Sequence, residues 1–138
     1  MMLASFDVLF VTETWRGERQ ELFTTTHGHV LFLSGGEGCR GVGIVLSVGF
    51  FRELLQVSFH AYSPRICALH FQFGGRRDQV FPCYFPTTWD TDDAVDETYE
   101  LLNLLYSMLA CGMALFQSLL VILMLVLDHH ASLVKLNI

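Results

Sequence analysis

Two histidines one residue apart, His27 and His29, would turn both imidazoles to one face of a strand, where a pair of metal ligands could sit. Spacing supplies no third ligand, so surface histidines are the simpler expectation. His129 and His130 adjoin an apolar run and read as an interfacial flank. His60 and His70 fall inside strand patterns, as packed or edge residues. Gly36-x-Gly38-x-x-Gly41 matches GxGxxG. That pattern binds a dinucleotide where a strand passes into a helix whose first N–H groups hold the pyrophosphate. Here Val42-Gly43-Ile44-Val45-Leu46 follows and reads as a strand, so a hairpin loop is the better account. Cys39, Cys67, Cys83 and Cys111 form no CxxC, which signals neither a zinc ribbon nor a disulfide scaffold. Free thiols in a reducing compartment are expected, and none has a local partner that would make it a nucleophile. Arg76-Arg77 reads as a solvated turn tip. Seven carboxylates and no basic residue lie between Asp78 and Glu100, mostly as a solvated helix start.

Glu13 differs in position. It lies just past a short apolar run, where catalytic residues of α/β layers commonly sit. One carboxylate there could hold Mg²⁺ through a single oxygen, leaving the other positions to water and phosphate. The alternative is a charge at a helix N-terminus.

The elements that must position these groups are short. Residues 7–12, 29–33, 42–47, 55–61, 65–73 and 79–85 read as strands, and the pairs flanking the two Gly-rich turns read as antiparallel hairpins. From Asp92 the period changes to that of a helix. Val95, Tyr99, Leu102, Tyr106 and Leu109 fall on one face, and Asp92 and Asp93 suit the positive end of the helix dipole. Leu101 through Leu127 carries no charged residue. A bilayer core needs about 20 apolar residues in a helix, so residues 101–127 are expected to form a long apolar helix able to span a lipid bilayer. Lys135 is the only basic residue after Arg77, so the positive-inside rule barely sets a topology. A tail anchor would leave the head cytosolic.

The chain has 138 residues, enough for one domain. Hydrophobic residues make up 52% and charged residues 16%, which excludes a disordered chain. A net charge of −6 excludes an electrostatic nucleic-acid binder. Residues 1–12 lack a basic start and Asp7 interrupts their apolar run, so no secretory leader is expected.

Asp7-Val8-Leu9-Phe10-Val11-Thr12-Glu13-Thr14-Trp15 resembles the "hydrophobic strand, then E-T-W" motif of the endonuclease/exonuclease/phosphatase superfamily. The nearest variant is the endonuclease domain of non-LTR (LINE-type) retrotransposon polyproteins. Three further blocks agree in order. Ser34-Gly35-Gly36 through Arg40-Gly41-Val42-Gly43-Ile44 resembles the family's GGVGI hairpin. Ser63-Pro64-Arg65-Ile66 stands where the family often has S-D-R-I. Cys83-Tyr84-Phe85-Pro86-Thr87 resembles its x-Y-x-P block. The resemblance covers about residues 5–106. It implies a two-sheet α/β sandwich and, in the parent family, Mg²⁺-dependent hydrolysis of DNA phosphodiesters. Glu13 would match the Mg²⁺-binding glutamate and Tyr84 the tyrosine that contacts the scissile phosphate.

The departures from the family are as informative. The G-D-F-N motif, which should follow the helix and supply a water-activating Asp and a phosphate-holding Asn, does not occur in the sequence. Neither does the S-D-H motif with its catalytic histidine, nor the strand with an active-site Asn that should precede Asp7. Positioning and base catalysis each supply orders of magnitude in rate, so a truncated domain with no nuclease activity and no bound cofactor is expected. The expected organisation is a partial two-sheet sandwich over residues 5–100, an apolar helix over 101–127 and a short tail over 128–138. Its location would be a membrane or the cytoplasm. The alternative reading is a small single-pass membrane protein with a cytosolic β-rich head. The apolar tail also has a coding peculiarity. Codons for Leu115 to Asp128 can be chosen so that a shifted frame reads Val-Pro-Val-Ile-Val-Gly-Asp-Phe-Asn-Ala-Cys-Ile-Gly.

Overall fold

Alternation in the first half of the chain sets one face of a sheet. Val8–Thr12 (β1), Val30–Ser34 (β3) and Val42–Leu46 (β4) turn Val8, Phe10, Val30, Phe32, Val42, Ile44 and Leu46 to a shared core. Period-2 side chains that are β-branched or aromatic fit this half-buried pleat. The computed structural model describes residues 6–36, 41–85, 92–112, 120–126 and 133–136. In it β1 pairs with β4, and β4 with β3, antiparallel throughout. Gln20–Thr24 (β2) adds beside β3, and Leu133–Leu136 (β9) adds beside β1. The sheet order is β2-β3-β4-β1-β9.

A short helix, Val48–Arg52 (α1), leads out of this sheet. Ser47 caps it, its side-chain oxygen accepting the Phe50 N–H at 3.2 Å. The second sheet follows with Leu55–Ser63 (β5), Ile66–Phe73 (β6) and Arg76–Phe85 (β7), joined antiparallel. Gly74 and Gly75, both with positive φ, make the tight turn between β6 and β7. Helix Asp92–Gly112 (α2) then carries the chain back, and Leu120–Val126 (β8) pairs parallel to β7. A parallel neighbour requires such a crossover.

The two sheets pack face to face. Cys67, Leu69, Phe71 and Val80 of the second sheet meet the first sheet's inner face, with Phe50 and Leu54 filling between them. Leu105 of α2, with Leu101 and Leu102, covers Ile66, Ala68, Phe81 and Cys83 on the second sheet's other face. The α/β two-sheet architecture is therefore present.

The apolar helix expected over 101–127 is not. The helical part ends at Gly112, and Leu120–Val126 is a strand; residues 113–119 and 127 lie outside the described residues. The cause of the difference is physical. Parallel strands in α/β proteins read as continuous apolar runs without alternation, which composition alone does not separate from a buried or membrane helix. Val121, Ile122 and Val126 are the β-branched residues that favour the strand. Among the described residues no helix is long and apolar enough to cross a membrane.

The face of α2 also differs from the expectation. Thr98 and Leu105 are buried, while Tyr99 is 49% exposed. The packed side carries Thr98, Leu101, Leu102 and Leu105, so Leu102 of the expected face is kept while Tyr99 turns outward. Leucines on all sides from Leu101 onward leave the sequence without a unique apolar face.

Candidate functional site

Each end of the family-like pattern closes an internal strand of a different sheet. Glu13 follows β1 directly, with a backbone φ of 55°, and its N–H donates to the Gly41 carbonyl at 2.9 Å. Trp15, two residues on, has φ 53° and is 60% exposed. Two non-glycine residues in the left-handed region cost energy, and such positions cluster at functional loops. The opposing hairpin end is shaped to fit. Gly41 has φ +82°, and a Cβ there would stand 2.9 Å from the Ser34 carbonyl oxygen and against Thr14 Oγ1. Only glycine meets both demands. Gly43 is likewise crowded, between the Phe32 carbonyl and the side chains of Leu33 and Val11. The Gly-rich segment is a β3–β4 connection, as its composition predicted, and Gly38 lies outside the described residues.

Tyr84 lies near the end of β7 and is fully buried. Its backbone N–H donates to the Arg65 carbonyl at 2.7 Å, and the Arg65 guanidinium carbon stands 5.4 Å from its ring centre. Arg65 is placed by the Ser63-Pro64 turn, where Ser63 Oγ accepts the Arg65 N–H at 3.1 Å. A cleft of about 310 Å³ opens beside them, between this turn and the start of α2. Arg65, Glu97, Ser63 and Thr98 are its polar lining. Thr98 spends its hydroxyl on the Ala94 carbonyl, at 2.7 Å. Arg65 was not singled out from the sequence. Its signal was the S-x-R-I block, read there only as a family marker.

The other groups resolve differently. His29 Nδ1 accepts the Val48 N–H at 3.0 Å, at the start of α1. A neutral imidazole that accepts at Nδ1 carries its proton on Nε2, so neither nitrogen is left for a metal. The His27 and His29 ring centres lie 6.4 Å apart. Arg76, Arg77 and Asp78 belong to β7 rather than to the turn. Asp78 is buried, with Arg76 Nη2 3.4 Å from its Oδ2, so it is not part of a solvated helix start. His129, His130 and Cys39 lie outside the described residues. Burial pushes the Cys83 thiol up to about 12 and raises that of Cys67 as well. Neither is a thiolate at neutral pH, so neither is a ready nucleophile.

The donor set for the Mg²⁺ that the resemblance implies is thin. Mg²⁺ keeps several waters and takes one or two carboxylates, so Glu13 could supply one oxygen. Among the described residues no three His, Cys, Asp or Glu side chains gather as a metal site. Comparison with protein-family models, curated proteins and solved structures finds no match to this chain.

Proposed function

We propose that the chain is a truncated, non-catalytic domain of the endonuclease/exonuclease/phosphatase type, descended from a retrotransposon polyprotein. The observation that carries this reading is the β7–α2–β8 crossover. In the parent pattern the strand after the helix bears the Asp that activates water and the Asn that holds phosphate. Here that strand is Leu-Val-Ile-Leu-Met-Leu-Val, residues 120–126, with no group able to take a proton or hold an anion. The shifted reading frame of residues 115–128 runs through this same strand, which supports a frame change as the origin of its composition. Full burial of Tyr84 beneath Arg65 supports the same reading, because a phosphate has no route to a fully buried hydroxyl. Glu13 would stand where the parent family has its metal-binding glutamate, and among the described residues no group of three possible ligands gathers to hold Mg²⁺. The membrane-protein alternative loses its premise, a continuous helix over 101–127.

A plasmid-nicking assay on the full chain with Mg²⁺ or Mn²⁺ tests the reading. The expected result is intact supercoiled DNA at every concentration. Cleavage that disappears in Glu13→Ala would overturn it. The coding DNA gives a second check: it should read Gly-Asp-Phe-Asn in another frame across residues 120–124.

A further inference from the structure

The outer face of the second sheet carries a polar group that neither strand end uses. Val57 and Phe59 of β5 pack into the core, so Ser58 and His60 face the other way. Ser58 stands opposite His70 of β6, and His60 opposite Ala68, which makes the two histidines diagonal neighbours on one face. Their ring centres lie 5.3 Å apart, edge to face at 78°. His60 Nε2 is 2.9 Å from Ser58 Oγ. On the far side of His70 its register partner is Gln79 of β7, 1% exposed, whose Oε1 makes no hydrogen bond among the described residues.

The ring spacing fits a shared ion. Zinc holds an imidazole nitrogen at about 2.0–2.1 Å, which puts each ring centre about 3.2 Å from the metal and two rings at the tetrahedral angle about 5.2 Å apart. We propose that His60 and His70 bind a borderline divalent transition ion, Zn²⁺, Cu²⁺ or Ni²⁺, that clips the edge strand β5 to β6. Water completes the shell. Imidazole suits these ions and not Mg²⁺. With the ion bound at His60 Nδ1, Ser58 Oγ would accept the Nε2–H of His60, the orienting role an outer partner commonly plays. Burial, and then the neighbouring imidazole of His60, lower the pKa of His70 and favour the neutral, ligating form. A cavity of about 210 Å³, lined by His70 with Gln56, Gln72 and Arg77, gives water and the ion a way in.

Titration of the full chain with Zn²⁺ and with Ni²⁺, followed by calorimetry and by the histidine ring protons in NMR, tests this. One ion per chain is expected, with shifts confined to His60 and His70. Cu²⁺ in place of Zn²⁺ should give an electron paramagnetic resonance spectrum with two coordinated imidazole nitrogens. His60→Ala, a change at an exposed position that leaves the fold intact, should weaken Zn²⁺ binding by at least about tenfold, and His27→Ala should leave it unchanged. No binding, binding indifferent to His60→Ala, or binding lost in His27→Ala would each overturn the proposal.

Discussion

β2 and β4 flank the same strand, β3, and each is five residues long and antiparallel to it. All five residues of β4 are buried, whereas four of the five in β2 are exposed. The ladder hydrogen bonds are alike; what differs is what lies beyond. β4 has β1 on its other side, the second sheet against Val42, Ile44 and Leu46, and Phe6 and Leu9 against Val45. Among the described residues β2 has no second neighbour in the sheet order. Its edge is guarded by charge. Arg16 donates to both carboxylate oxygens of Glu21, at 2.6 and 3.1 Å, and its guanidinium carbon lies 4.8 Å from the Phe23 ring centre. Charged residues on an edge strand discourage pairing with another chain. The contrast teaches that burial of side chains, rather than strand pairing as such, carries the stability of this sheet.

Three substitutions test that contrast by urea unfolding. Ile44→Ala removes a fully buried side chain from the inter-sheet core and should cost about 3–4 kcal/mol. Gly41→Ala leaves the core untouched but forces a Cβ into left-handed backbone beside the Ser34 carbonyl; about 2 kcal/mol is expected. Leu22→Ala on β2 truncates a side chain 63% exposed and should change stability by less than about 0.5 kcal/mol. A loss at Leu22 equal to that at Ile44 would break the comparison, and would mean that β2 is covered by something beyond its own sheet. A Gly41→Ala variant as stable as the parent would show that the Glu13 loop is not held by the glycine hairpin.

The same contrast explains what the sequence made legible. β1, β3, β4, β5, β6 and β7 announced themselves because their apolar residues fall into short runs between turn residues. β2 did not. Gln20, Glu21 and Thr24 dilute Leu22 and Phe23, and nothing in composition distinguishes an edge strand from a polar loop. β8 was hidden for the opposite reason, being too uniformly apolar to show a period. Glu13 was legible as a residue just past a strand, whereas Tyr84 was named only through the family resemblance. The left-handed backbone at Glu13 was not legible, because it is imposed by the Gly41 contact across the hairpin and not by glycine at its own position. The His60–His70 neighbourhood needed the register of β5 on β6, and that register shifts twice along the pair, between Leu55 and Ser58 and between Ala61 and Ser63.

The pairing of β9 with β1 sets Val8 against Leu136, so contacts that complete the first sheet join residues from nearly opposite ends of the sequence. Contacts of such long range form slowly, because chain entropy opposes closing so large a loop. While β9 is still searching, β1 stands as a bare margin, apolar at Val8, Leu9, Phe10 and Val11. That interval leaves the β1 margin open to pairing with a second chain.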